Sequence, residues 1–200
     1  MTQRPFSQAS ENNKHAILSV LERYLTSPTR VLEIGSGTGQ HGYFFAEQLP
    51  QVTWQSSDLT ENHEGIKAWI EAYSGDNLLP PFELNVAQFP DDLASFQAVY
   101  TANTAHIMSW DQAQQMIRGV GSLLPESGLW IIYGPFNYDG KFTSESNARF
   151  NEWLKMQAPH RAIRDFEAIC EEAEAAGLAL LEDCPMPANN RCLVFRKQSR

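Results

Sequence analysis

Residues Arg30-Val31-Leu32-Glu33-Ile34 form a short, mostly apolar run. It passes directly into Gly35-Ser36-Gly37-Thr38-Gly39 and then into an amphipathic stretch, Tyr43 to Leu49, closed by Pro50. A strand that turns through glycines into a helix opens a β-α-β crossover. Glycine permits the positive φ of the tight turn and lets a ligand approach the main chain without meeting a Cβ. The alternation continues on both sides of this unit. Ile17, Leu18, Val20, Leu21, Tyr24 and Leu25 recur at helical spacing, which predicts a helix over about Ser10–Leu25 that Ser27-Pro28 stops. Val52–Ser57 is a second strand, and Ile66, Trp69, Ile70 and Tyr73 stripe a second crossover helix. Pro81–Asn85 and Gln97–Thr101 are the third and fourth strands. Ala113, Met116, Ile117, Val120, Leu123 and Leu124 mark a helix, and Leu129–Tyr133 is the fifth strand. Strands alternating with helices imply a parallel sheet covered on both faces.

The last third departs from that rhythm. Residues 134–164 hold a polar stretch and a helix bearing Phe150, Trp153 and Leu154, an insertion over the carboxyl edge of the sheet, where insertions shape binding sites. Asp165 is placed to cap a helix running to Ala176, with Gly177 as its stop. Leu178–Glu182 and Arg191–Lys197 are strands joined only by Asp183–Asn190, too short for a parallel crossover, so they pair antiparallel. The expectation is an α/β, doubly wound, seven-stranded sheet, mostly parallel with one antiparallel strand near the C-terminus, forming one domain over residues 1–200.

The 200 residues are 42% hydrophobic, 11% aromatic and 20% charged, a globular composition. Fifteen Lys and Arg against 24 Asp and Glu give a net charge of −9, which disfavours nucleic acid and anionic membranes as partners. No apolar run approaches the ~20 residues that span a bilayer. Met1-Thr2-Gln3-Arg4-Pro5 has no signal-peptide apolar region, so the reading is a soluble, cytoplasmic protein. Cys170, Cys184 and Cys192 fit neither a metal knuckle nor a disulfide framework and are read as buried or inert thiols, with no metal expected. The pattern fixes no oligomeric state.

The chemistry concentrates at the ends of the strands. Glu33, two residues before the first glycine, suits a ligand with a positively charged amino group and would repel a pyrophosphate. Asp58 follows the second strand, where a carboxylate accepts both hydroxyls of a ribose; a turn or cap residue is the alternative. Asn85 ends the third strand and either reads an adenine edge or forms a turn. Asn103 and His106 lie just past the fourth strand, at the mouth where a substrate meets the reactive atom of a cofactor. The string Gly37-Thr38-Gly39-Gln40-His41-Gly42 also satisfies GxGxxG, but in a poor register for a dinucleotide site.

The run Val31-Leu32-Glu33-Ile34-Gly35-Ser36-Gly37-Thr38-Gly39-Gln40-His41 resembles motif I of the S-adenosylmethionine (SAM)-dependent methyltransferases with the seven-stranded Rossmann-like fold. Nearly the whole chain resembles one branch of them, the methyltransferase-like family known as domain of unknown function 938. The stretches that carry this are Phe6-Ser7 through Asn13-Lys14, the glycine loop, Asn103 through His106-Ile107 with Trp110, Tyr133-Gly134-Pro135-Phe136 through Asp139-Gly140, Ser144 through Asn147, Ile163-Arg164-Asp165, and Met186-Pro187-Ala188-Asn189-Asn190. The family often has Pro where Ser109 stands and Asn-Met where Asn103-Thr104 stands. The resemblance implies SAM as cofactor, held by Glu33, Gly35, Ser36, Gly37, Gly39, Asp58, Asn85 and Asn103, and leaves the methyl acceptor open.

Methyl transfer from a sulfonium needs a nucleophile aligned with the methyl, plus a base when that nucleophile is a hydroxyl or ammonium. His106 is the histidine placed for the base, with an ordinary pKa of about 6.5 leaving a useful neutral fraction at neutral pH. His41 begins the helix after the glycine loop and either lines the cofactor site or is a polar helix start. The aromatic residues of the insertion suit a small apolar or aromatic acceptor, or serve as core. Arg149, Arg161 and Arg164 are candidates for an acidic substrate group, with surface solvation or an internal Asp165 pair as the alternative. The expected function is SAM-dependent methyl transfer to O or N of a small-molecule acceptor. The alternatives are a nicotinamide-dependent oxidoreductase, disfavoured because no Tyr-x-x-x-Lys occurs, and a non-catalytic SAM-binding module.

Overall fold

In the computed structural model of the chain, which describes residues 3–90 and 93–199, the Ser7 side chain accepts from the Ser10 amide and opens helix α1 (Gln8–Tyr24). Met1 and Thr2 of the N-terminal segment lie outside the described residues. Strand β1 (Thr29–Ile34) leads through the glycines into α2 (Gln40–Gln48), which has Gly39 at its N-cap, begins one residue before the expected helix start at His41 and contains the start of the amphipathic stretch at Tyr43. Then follow β2 (Val52–Asp58), α3 (His63–Glu71), β3 (Leu78–Glu83), β4 (Ala98–Ala102), α4 (Trp110–Leu123) and β5 (Leu129–Gly134). The insertion holds β6 (Phe136–Asn137), α5 (Glu145–Gln157) and β7 (Arg164–Asp165), and the chain ends with α6 (Phe166–Ala175), β8 (Leu178–Met186) and β9 (Asn190–Lys197).

Seven strands form one sheet in the order β3-β2-β1-β4-β5-β9-β8. The pairs among β1 to β5 are parallel, whereas β9 runs antiparallel to both β5 and β8, so it is the single reversed strand expected. Three details differ from the expectation. Strand β3 is Leu78–Glu83 rather than Pro81–Asn85: as an edge strand it accommodates Pro80 and Pro81, which lack the donor an inner strand needs. The β8–β9 connection shrinks to the 3-10 turn Pro187–Asn189, because both strands extend into the expected loop. Asp165 occupies the N-cap position of α6, yet its side chain makes no capping hydrogen bond.

Both faces of the sheet are buried, which is why its strands read as near-continuous apolar runs. One face packs Val31, Trp54, Tyr100 and Ile131 against Ile17 and Leu21 of α1 and Phe45 of α2. The other packs Leu32, Val99, Trp130 and Phe195 against Met116, Ile117 and Val120 of α4 and Ile169 of α6. Cys184 and Cys192 sit opposite each other on β8 and β9, both buried thiols. No helix among the described residues is long and apolar enough to cross a membrane.

Candidate active site

A parallel sheet whose strand order reverses between β1 and β4 leaves a crevice at the carboxyl ends of those strands. Here that crevice is a continuous cavity of about 1180 Å³. Its floor is the loop after β1, where Gly35 and Gly37 have φ of +71° and +57°. A Cβ on Gly35 would stand 2.7 Å from Cγ2 of Thr104, so the loop lies directly against the turn after β4. A Cβ on Gly37 would meet nothing within 4 Å: at that point the backbone faces open cavity. Gly39 is different. It does not belong to the lining, and its φ of +88° and the 3.0 Å approach of a Cβ to Ile66 Cα give it a packing role between α2 and α3.

Asp58, 8% exposed, ends β2 beside this loop. Its Oδ2 accepts from the Gly37 amide at 2.7 Å, and its Oδ1 accepts from the Leu59 amide at 2.7 Å and from Asn62 Nδ2 at 2.9 Å. Glu33, 2% exposed, accepts from Trp54 Nε1 at 2.9 Å. Burial pushes its carboxyl up to about 7, against the hydrogen bonds from Trp54 and Ser36, with the nearby Asp58 charge adding to the rise. Ser36 lines the cavity, but its hydroxyl already accepts from the Ser57 amide at 3.1 Å, so it braces the loop against β2. Asn85 lines the cavity too, and its Oδ1 accepts from the Ala87 amide at 3.0 Å, the turn-forming arrangement, leaving its amide nitrogen as the group to read a base. Asn103 turns the chain at the end of β4 with φ of +56°, a conformation Asn tolerates, and its amide donates to the Tyr133 carbonyl at 2.9 Å.

Helix α1 supplies a wall that sequence reasoning assigned to no site. Ser7, Ser10, Asn12 and Asn13 line the cavity, and the Ser7 amide donates to Gln40 Oε1 at 2.5 Å, tying the chain's start to α2. His41, which also lines the cavity, has Nε2 2.7 Å from Asn13 Oδ1 and 3.3 Å from the Ser10 carbonyl, with Nδ1 3.1 Å from the Tyr100 hydroxyl. The two carbonyl oxygens require a proton on Nε2, so Tyr100 donates to Nδ1 and the ring is neutral. Burial lowers its pKa to about 4, in keeping with that assignment. Tyr133, Asn147 and Asn190 complete the same side. The stretches that carry the family resemblance include all of these lining residues, and for all but His41 that is the one signal in the sequence.

At the other end the insertion closes over His106. This histidine is 5% exposed, its ring lies edge-on to Phe150 at 5.4 Å, and Phe150 stacks on Trp153 at 5.8 Å. It does not keep the ordinary pKa near 6.5 expected of it. Burial, with the charges of Arg164 and then Arg161, lowers its pKa to about 4, so the imidazole is neutral throughout the physiological range. Arg164 holds the insertion down, donating to the carbonyls of Ala105 at 2.9 Å, Met108 at 2.5 Å and His160 at 2.9 Å. Arg149 instead lies 3.7 Å from Glu145 on the exposed face of α5. Among the described residues no cluster of His, Cys, Asp and Glu is arranged to hold a metal.

The strand order, with its reversed β9, and the glycine crevice define the Rossmann-like fold of the class I methyltransferases. The chain belongs to the family described as "Protein of unknown function (DUF938)", whose model matches residues 4–197. Among solved structures it is similar to an O-methyltransferase family protein from Burkholderia thailandensis, with TM-score 0.81 and 18% identity over 93% of this chain and 56% of that one. It is also similar to an O-methyltransferase family 2 protein from Planctomyces limnophilus in complex with apigenin, with TM-score 0.81 and 15% identity over 94% of this chain and 57% of that one. Human N-acetylserotonin methyltransferase in complex with SAM gives TM-score 0.79 and 13% identity over 96% of this chain and 53% of that one. The chain thus spans a little more than half the length of these proteins.

Proposed function

We propose that the chain is a SAM-dependent methyltransferase acting on O or N of a small-molecule acceptor. The observation that carries this reading is the continuity of the cavity. One end is walled by Gly35, Gly37, Glu33 and Asp58, the other by His106, Phe150 and Trp153. At about 1180 Å³ it exceeds the roughly 300–1,000 Å³ usual for a single ligand, leaving room for a nucleoside cofactor beside an acceptor. The bare backbone at Gly37, a cradle that a Cβ would fill, fits close approach by a ligand. The buried Glu33 carboxyl fits a cationic amino group, and Asp58 fits ribose hydroxyls. Asn85 and Asn103 offer amides to the base and to the cofactor's far end. SAM, when bound, supplies a methyl group on a sulfonium.

The chain's own residues then hold and align. Asp58 fixes the glycine loop through the Gly37 amide and presents its remaining lone pairs to the cavity. Phe150 and Trp153 offer aromatic faces that position a flat acceptor and exclude water. His106, neutral, accepts the acceptor's proton as the nucleophile forms its new bond. A dinucleotide oxidoreductase is less well supported, since the dinucleotide folds carry an all-parallel 3-2-1-4-5-6 order where this sheet places the reversed β9 beside β5.

Calorimetric titration with SAM and S-adenosylhomocysteine (SAH) tests the cofactor. Saturable binding that Asp58→Ala weakens is expected, and no binding up to about 1 mM, equivalent to less than about 4 kcal/mol, sinks the reading. A screen of small-molecule acceptors with labelled methyl donor separates an enzyme from a non-catalytic module: methylation of any acceptor, lost in His106→Ala, eliminates the module.

A further inference from the structure

The cavity is electrically lopsided. Its acidic lining residues are Glu33 and Asp58 at the ends of β1 and β2 and Glu61 in the turn after β2, whereas Arg161 is the one Lys or Arg among the described residues that line it. Arg161 comes from the insertion, next to Ala162, whose amide donates to the His106 carbonyl at 3.1 Å. Its guanidinium is therefore tethered beside the histidine, close enough for its charge to bear on that ring. The Arg161 side chain makes no hydrogen bond or ion pair among the described residues, and its Nε is fully buried without a partner. The two other arginines of the insertion are accounted for: Arg164 is spent on three carbonyls and Arg149 lies by Glu145 outside the cavity. A buried guanidinium donor left unpaired costs free energy, and a cation kept at a substrate mouth regains it when an anion arrives.

We infer that the acceptor carries a carboxylate and that Arg161 binds it, with the acceptor's ring against Phe150 and its nucleophile turned toward His106. This rests on the methyltransferase reading for the acceptor's role and deepens it by naming the acceptor's class. A carboxylate matches one guanidinium in both charge and fork geometry, whereas a phosphate dianion would bring a second charge for which the lining holds no second cation, into a cavity already lined by three acids. The arrangement also serves the chemistry. Burial is the main reason His106 is a poor proton acceptor, with the charges of Arg164 and then Arg161 adding to it; a carboxylate on Arg161 offsets that last contribution, so this class of acceptor returns part of the basicity its own deprotonation needs.

The test compares 4-hydroxybenzoate with its neutral isostere 4-hydroxybenzamide, titrated by calorimetry into the full chain, both alone and saturated with SAH. The acid is expected to bind at least about tenfold more tightly than the amide, the worth of one charge-assisted pair. Arg161→Met should abolish that preference, Arg161→Lys should keep part of it, and SAH affinity should stay within about twofold in both. Arg161→Gln, which keeps a donor without the charge, gives the same readout where Arg161→Met fails to fold. Equal affinity of acid and amide for the wild type, an acid preference that survives Arg161→Met, or no saturable binding of the acid up to about 10 mM each overturns the inference. Failure of SAH to bind overturns the methyltransferase reading instead, and the acid-against-amide comparison on the chain alone remains readable.

Discussion

Glu33 places two demands in conflict. Its carboxyl titrates at about 7 in the fold and near 4.5 at its usual value, so the folded chain holds a proton that the unfolded chain has already released over that interval. Stability therefore falls as pH rises from about 4.5 through 7. Binding runs the other way, because a cationic amino group needs the ionised carboxylate. SAH affinity should rise between pH 6 and 8 with uptake of the proton by buffer, which titrations in buffers of different ionisation enthalpy will detect. Glu33→Gln keeps the acceptor for Trp54 Nε1 and removes the buried charge: at pH 8 it should raise stability by about 1–2 kcal/mol in denaturant unfolding while lowering SAH affinity about tenfold. His106 gives a contrasting profile. Because the free protein's imidazole protonates only near pH 4, kcat/KM for the acceptor at saturating SAM should show no loss from this group between pH 8 and 6. A decline centred near 6.5 would restore the ordinary histidine first expected. His106→Ala should lower turnover about 10²–10⁴-fold with SAH affinity nearly unchanged.

The turn from β1 into α2 distinguishes two glycines that look alike in the sequence. Gly35→Ala would drive a Cβ to within 2.7 Å of Thr104 at a positive φ, so it should destabilise the fold by about 2 kcal/mol or more. Gly37→Ala meets no protein atom, so its cost in stability is that of a positive φ alone, about 1 kcal/mol, whereas its methyl projects into the cavity and should weaken SAH at least tenfold. Thermal melts with and without SAH separate the two. This element was legible in advance because strand, turn and helix are contiguous, and the chemistry of Glu33 and Asp58 follows from where such strands end. Gly39 was not separable from its neighbours, since its reason is Ile66, a contact across α3 that no local spacing reveals. The same holds for the α1 wall: Asn13 matters through His41 and Tyr100, far apart in the chain. Strand β3 was misplaced because prolines that mark a break in an inner strand are tolerated at an edge, and β6 and β7, two residues each, carry no periodicity to find.

At the scale of the molecule, β9 lies between β5 and β8, so the strand made last is inserted beside the centre of the sheet and the strand made before it forms the edge. The cavity accordingly draws on Ser7 near one end of the chain and on Pro187, Ala188 and Asn190 near the other. A chain ended after Gly177 would keep Glu33, the glycine loop, Asp58 and His106, yet it would leave β5 with a bare edge and the apolar residues Trp130, Ile131 and Ile132 without their cover. Such a chain should bind no SAH and should elute as aggregate in size exclusion, whereas a folded, SAH-binding product would show the hairpin to be dispensable. During synthesis the glycine loop precedes β8 and β9 and waits for them without a completed site. Closure that depends on such distant partners is slow. Until β8 and β9 have docked, a ligand meets the glycine loop without the wall that Pro187, Ala188 and Asn190 supply.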